Sequence, residues 1–119
     1  MEIIDPAKIE DYHAHIYYDT ATREIAVQIR ESIEKNFTVE MGRWHDEPIG
    51  PHPTAMYQVK FATVQFNRIV PWLMLNRHGL NILVHPNTGD AFEDHATHAL
   101  WLGDKLPLRL EVLRNLPAR

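Results

Sequence analysis

Tyr12-His13-Ala14-His15-Ile16-Tyr17-Tyr18 is the stretch that decides how this chain folds. Its residues alternate in character with a period of two, the repeat of a β-strand, whose successive side chains leave on opposite faces. His13, His15 and Tyr17 therefore share one face, while Ala14 and Ile16 share the other. The first face suits water or chemistry and the second suits a core. Two imidazoles at i and i+2 can meet on one metal ion, because histidine is the commonest protein ligand for metals such as zinc, iron and copper. A solvated strand face is the alternative, and the strand alone does not choose between them.

The remaining histidines weigh on that choice. The chain has eight in 119 residues, and His13, His15, His52, His85 and His95 each sit in a short run beside proline, aspartate or another histidine. With 45% hydrophobic residues, the chain has the material for one core, so a single domain over residues 1–119 is expected. The formal charge of -4 and the lack of any Lys/Arg run argue against nucleic acid or an anionic membrane as partner and favour small neutral or cationic ligands. There is no cysteine, which excludes disulfides, thiolate metal sites and thiol nucleophiles. Met1-Glu2-Ile3-Ile4-Asp5-Pro6 lacks the features of a signal peptide and no apolar run is long enough to span a bilayer, so a cytoplasmic protein is expected.

Outward from the first strand, Asp19 or Thr20 can cap a helix of about residues 21–36, whose apolar stripe is Ile25, Ile29, Ile33 and Phe37 and whose stop is Asn36. A second strand follows over residues 39–44, where Gly42 suggests a bulge or a close approach. Residues 45–53 form a loop, since Pro48, Gly50, Pro51 and Pro53 suit neither helix nor central strand, and the flanking prolines aim His52 in a set direction. Residues 56–61 alternate as a third strand. A second helix over residues 63–77 turns Val64, Phe66, Ile69, Val70, Leu73 and Met74 inward, bends at Pro71 and stops at Gly79. Residues 81–85 form a fourth strand, ended by Pro86 and the turn through Asp90. Residues 98–103 suit a fifth strand, and residues 106–113 fit either a strand or a short helix begun by Pro107.

Strand, helix, strand, strand, helix, strand is the ferredoxin-like βαββαβ order, here with one or two extra C-terminal strands, and it places both helices on one face of an antiparallel α+β sheet. The covered face then holds Ala14, Ile16, Val59, Phe61, Ile82 and Val84, and the open face His13, His15, Tyr17, Gln58, Lys60, Leu83 and His85. Pairing residues 12–18 with 86–80 sets His13 opposite His85 with His15 one step away, so three imidazoles converge on the open face. His52 and His95 come from loops and can replace a ligand or act as acid or base. Asp90, Glu93 and Asp94 can supply a carboxylate ligand or orient an imidazole, or can form a solvated turn or helix start. His45, beside Asp46 and Glu47, fits a surface ion pair, His78 the end of a helix, and His98 an outward-facing position. Trp44, Trp72 and Trp101 fit core or interface positions. No glycine-rich phosphate loop, G-x-S-x-G or H-E-x-x-H occurs, and the one serine, Ser32, falls within a helix.

Tyr12-His13-Ala14-His15-Ile16-Tyr17-Tyr18, Gly50-Pro51-His52-Pro53, Pro71-Trp72-Leu73, Val84-His85-Pro86 and Ala99-Leu100-Trp101-Leu102-Gly103 together resemble the DOPA 4,5-dioxygenase-like family, in order from about residue 10 to 113. The resemblance implies a small ferredoxin-like protein that cleaves L-DOPA or a similar catechol at an extradiol position, using dioxygen and a non-haem iron(II). It implies a site built from His13, His15, His52 and His85, with His95. The expected metal ligands are His13, His15 and His85, and the expected acid and base are His52 and His95, although a loop histidine can replace a strand ligand. The usual facial triad includes one carboxylate. None is fixed in these motifs, so either an acid from residues 90–94 contributes or the site is all histidine, in which case zinc or nickel can replace iron in purified protein. Arg43 and Lys60 can receive a substrate carboxylate but also fit ordinary surface cations. A homodimer is expected to cover the open sheet face. The competing readings are a non-catalytic metal- or small-ligand-binding dimer and a structural dimerisation module.

Overall fold

The alternating strand lies at the centre of the molecule. In the computed structural model, which describes residues 1–114, the chain runs through β1 (Asp11–Tyr17), α1 (Arg23–Asn36), β2 (Glu40–Met41), β3 (Met56–Ala62), α2 (Phe66–Asn76), β4 (Ile82–Asn87), α3 (Ala91–His95) and β5 (Leu100–Leu102). The strands form one antiparallel sheet in the order β2-β3-β1-β4-β5, the ferredoxin-like arrangement with one added edge strand. Among the described residues, no helix is long and apolar enough to cross a membrane.

One face of the sheet makes the main core. Ala14, Ile16, Tyr57, Val59, Phe61, Ile82 and Val84 point into it and meet Ala26, Ile29 and Ile33 of α1 and Ile69, Val70 and Leu73 of α2. α1 begins after a reciprocal clasp in which the Thr22 amide donates to Asp19 Oδ1 and the Asp19 amide donates to Thr22 Oγ1, both at 2.9 Å. Gly42 makes the close approach expected of it. Its amide donates to the Gln58 carbonyl at 2.7 Å, and a Cβ added there would stand 3.2 Å from Gln58 Cβ.

Three expectations need correction. Val64 and Met74 are exposed, at 80% and 53%. Residues 63–65 form a 3-10 turn, whose three-residue period takes Val64 off the α-helical stripe. Met74 lies roughly 90° round the helix from the centre of the buried set. Second, β4 continues through Pro86 to Asn87. The Tyr17 amide donates to the Asn81 carbonyl, which makes odd-numbered residues of β1 the hydrogen-bonded partners of β4. Pro86, opposite Tyr12, therefore needs no amide toward β1, and on its other flank β5 has already ended at Leu100.

Third, the histidine-bearing face is only half open. Tyr17, Met56 and Leu83 form a second buried cluster under Ala99, Trp101, Leu106 and Leu108. The segment carrying Leu106 and Leu108 is irregular rather than a strand and leads into a 3-10 turn, Leu110–Leu113. It is fastened by the Arg109 amide, which donates to the Pro51 carbonyl at 2.8 Å. At this end the chain covers its own sheet.

The corrected packing of α2 predicts unequal costs. Ile69→Ala should lower unfolding stability by about 2–4 kcal/mol, whereas Met74→Ala should change it by less than about 0.5 kcal/mol, as read from urea denaturation midpoints.

Candidate metal centre

The β1–β4 register sets His13 directly opposite His85 and places His15 one step along the same face. His15 Nε2 and His85 Nε2 share a hydrogen bond at 3.1 Å, His15 donating where the His85 proton is on Nδ1. A helix and a loop add to the pair, since His95, expected on a loop, ends the short helix α3. The short helix α3 lays His95 over β4, with its ring 4.0 Å from that of His85, and the proline-rich loop brings the His52 ring to 4.2 Å from His15. All five expected site residues are thereby gathered. Their ring nitrogens fall into two groups of three within 4.8 Å, His13-His15-His85 and His15-His52-His95, with His15 common to both.

Local structure fixes how most of these rings point. His85 Nδ1–H donates to the Pro86 carbonyl at 2.9 Å, leaving its Nε2 as a lone pair toward His15. His95 Nδ1–H donates to the Ala91 carbonyl at 2.7 Å, which likewise leaves Nε2 as a lone pair. His52 shares a 2.7 Å hydrogen bond through Nδ1 with the Tyr17 hydroxyl. Its loop is closed by the His52 amide donating to the Ile49 carbonyl and braced by the Arg109 guanidinium, which donates to the His52 carbonyl at 3.3 Å. In α3, Asp90 accepts the Glu93 amide at the first turn, and Asp94 is buried, accepting the Thr88 amide and hydroxyl at 2.8 and 2.6 Å. Glu93 accepts the Thr97 hydroxyl. These acids build the turn and the helix start, and among the described residues neither group of nitrogens includes a carboxylate.

The other singled-out residues lie elsewhere. His98 is exposed, in keeping with an outward-facing position, and donates from Nδ1 to Asp94 at 3.1 Å. Asp46, the expected partner of His45, is taken by Arg23 at 2.8 Å and by the Tyr18 hydroxyl at 2.7 Å. His78 adopts φ 48° just beyond α2. Lys60 lies between Asp11 and Glu40 at 3.6 and 3.9 Å, and Arg43 is exposed.

Burial governs the charge of the cluster. Desolvation holds His15 well below the ordinary 6.5, and the neighbouring imidazoles of His52, His85, His95 and His13 add to it. Desolvation lowers His52 to about 4, aided by His95 and His45. His85 is depressed by burial, and His95 is lowered by burial against the opposing pull of its Ala91 bond and Asp94. Burial also raises the Tyr17 hydroxyl, which stays protonated at neutral pH. The four imidazoles are thus neutral at pH 7, the form in which a ring nitrogen binds a metal.

The 3.1 Å spacing fits a metal. Two bonds of 2.0–2.1 Å meeting at tetrahedral or octahedral angles place their nitrogens roughly 2.9–3.4 Å apart. His15 Nδ1 is buried without a hydrogen-bond partner, so the network of this ring is unfinished within the protein. Two participants were not assigned a part from sequence, Tyr17 and the segment around Trp101 and Leu106, while Asp94, expected as a ligand, an orienting acid or part of a helix start, engages His98 and Thr88. Tyr17 was legible as sharing the face of His13 and His15, and the i, i+4 spacing of Asp94 and His98 was a signal of their pairing. The covering segment alternates in sequence, which fitted a strand or a short helix and did not say what it packs on.

The fold and cluster together define a small ferredoxin-like protein with a histidine-built centre on its sheet. The sequence pattern of the Dopa 4,5-dioxygenase family matches residues 12–112, and the chain belongs to that family. A DOPA 4,5-dioxygenase from Amanita muscaria is 29% identical over 128 residues, covering 100% of this chain and 55% of its own length. An uncharacterised 21.2 kDa protein of Botryotinia fuckeliana is 38% identical over 117 residues, covering 88% of this chain and 64% of its own. The chain therefore spans between about half and two thirds of these curated relatives. A crystal structure from Nostoc punctiforme PCC 73102, of a protein described as a candidate dioxygenase, matches with a TM-score of 0.93 at 55% identity, over 94% of this chain and 97% of that one.

The depressed imidazoles predict a pH dependence for the metal-free protein. Below 6.5 the unfolded chain takes up protons that the folded chain refuses, so stability is intact above that value and falls as pH drops from 7 to 5. Each buried imidazole contributes a slope of up to about 1.4 kcal/mol per pH unit. Urea unfolding at several pH values should show this fall and a flatter profile for His85→Leu; a profile level between pH 7 and 5 would contradict it.

Proposed function

We propose that the protein is a non-haem iron(II)-dependent extradiol dioxygenase that opens the ring of a small catechol, L-DOPA or a similar one, with both atoms of dioxygen entering the product. The observation that carries this reading is the pair of Nε2 atoms at 3.1 Å on neighbouring strands of a histidine-lined face. In this reading His13, His15 and His85 hold the ion. They are preferred over the second group because they stand on paired strands and His85 is oriented by a backbone carbonyl. His52, by contrast, comes from a loop and has Nδ1 engaged by Tyr17.

Bound there, ferrous iron would supply the redox and Lewis-acid chemistry that lets dioxygen and a catechol react, with three protein ligands leaving positions for both. The remaining work falls to the chain. His95 is the proposed base, because its Nδ1 proton is committed to Ala91 and its Nε2 lone pair is available to take a proton from a catechol hydroxyl. His52 is the proposed acid: it takes up a second proton released by the substrate and later returns it, with the Tyr17 hydroxyl behind it as a neutral partner. Met56, Leu83, Trp101 and their neighbours shield one side of the cluster from water.

Metal-stripped protein reloaded with iron(II) without air should consume dioxygen when given a catechol and release a yellow semialdehyde. His15→Ala and His85→Ala should weaken metal binding at least about a hundredfold. His95→Ala and His52→Ala should keep the ion and lose roughly 10²–10⁴ in kcat. Metal binding with no oxygen uptake over a broad catechol panel would instead mark a metal-binding protein without this activity.

A further inference from the structure

A cavity of about 620 Å³ opens on the His95 side of the cluster, bounded chiefly by His95, Trp101, Lys105, Leu106, Pro107 and Leu108. Trp101 stacks on Tyr17 at 5.9 Å between ring centroids, and Tyr17 is bonded to His52, so the cavity wall is continuous with both proposed catalytic histidines. The volume lies in the range of pockets that enclose small ligands. About 150 Å³ is enough for a benzene ring, so a bare catechol would leave most of the space to water. A ring carrying a tail fits it better.

The charges of the lining say what the tail should be. Among the described residues that bound the cavity, Lys105 is the one permanent charge and no carboxylate is present. No described carboxylate forms an ion pair with Lys105, and the lining threonine, Thr97, gives its hydroxyl to Glu93. The net charge of -4 favours neutral or cationic ligands at long range, but charges farther than a Debye length of about 8–10 Å are screened while the nearest one is not. Of the described residues that bound this cavity the one charged side chain is positive, and Glu93, behind the lining Thr97, is engaged by that residue's hydroxyl.

Resting on the ring-cleaving reading above, we infer that the cavity selects catechols whose substituent is a short apolar tail ending in a carboxylate, and that Lys105 is the specificity-determining residue that receives it. The aliphatic wall takes the tail and the ammonium takes its end. A tail ending in an amine meets like charge. An amino-acid tail gains the carboxylate contact but leaves its own ammonium without a counter-charge.

The test compares dihydroxyphenylpropionate, L-DOPA and dopamine on the iron(II)-loaded protein. The kcat/KM values should fall in that order, with the acid at least about tenfold above dopamine, a difference of about 1.4 kcal/mol. Lys105→Met should remove the preference mainly by raising KM for the acid, Lys105→Glu should reverse it, and Lys105→Arg should restore it. Equal use of acid and amine, or an unchanged order in Lys105→Met, overturns the inference. Calorimetric titration of zinc-loaded protein with hydroxyphenylpropionate and tyramine decides the same point without turnover. Tighter binding of the acid that is lost in Lys105→Met supports Lys105, and equal binding refutes it. If no catechol is cleaved, the ring-cleaving reading falls, and the titration still decides for or against Lys105.

Discussion

The pairing of β1 with β4 is the constraint on which the rest of this structure hangs. Because side chains alternate with a period of two, the register that sets His13 against His85 also sends Ala14, Ile16, Ile82 and Val84 into the main core. A slip of one residue on β1 would bury His13 and His15 beneath the helices and expose the core residues. The packing of α1 and α2 on one face therefore fixes the histidine geometry on the other. The apolar core sets that geometry more firmly than the imidazoles could set it themselves.

The cluster also has to tolerate burial. His15, His52 and His85 are each less than 5% exposed, and a buried charge costs far more than a buried neutral group. Neutral imidazole resolves this conflict. It brings a metal-ligating lone pair into the interior without a full charge, and its second nitrogen can be satisfied locally, as the Pro86 and Ala91 carbonyls do for His85 and His95. The acids that do lie nearby are turned to other duties. Asp94 is buried yet fully engaged by Thr88 and His98, where it ties the turn after β4 to α3 and so holds the helix that carries His95.

Much of this was legible in the sequence because it rests on periodicity. The strand order, the face carried by the strand histidines and the His13–His85 pairing all follow from alternation along β1 and β4 and the two helices between them. The arrival of His52 and His95 was legible only as a possibility, since a loop carries no repeat that fixes where its side chains go. The failures are equally physical. A 3-10 turn broke the helical period at Val64, and the hydrogen-bonding parity of β1 and β4 let the strand run through Pro86, a residue that usually ends one. The segment carrying Leu106 and Leu108 stayed open between strand and short helix because its alternation does not tell what it packs on, and the structure sets those residues against Tyr17 and Leu83, far away in sequence.

An all-imidazole donor set has a further consequence for how such a site would treat a substrate. A facial triad with a carboxylate cancels part of the charge of a divalent ion before anything else arrives. In the proposed function the ligands would be the imidazoles of His13, His15 and His85, which bind a metal in their neutral form, so the ion would keep its whole charge in a low-dielectric setting where electrostatic interactions are strong. That charge favours the ionised form of a bound hydroxyl and eases its deprotonation by a neighbouring base such as His95. The described residues that bound the adjoining cavity likewise include no carboxylate, and Lys105 is the charged one among them. Centre and cavity thus share one electrostatic character: each leaves positive charge for the incoming molecule to neutralise, and a catechol with an anionic tail would do so at both ends.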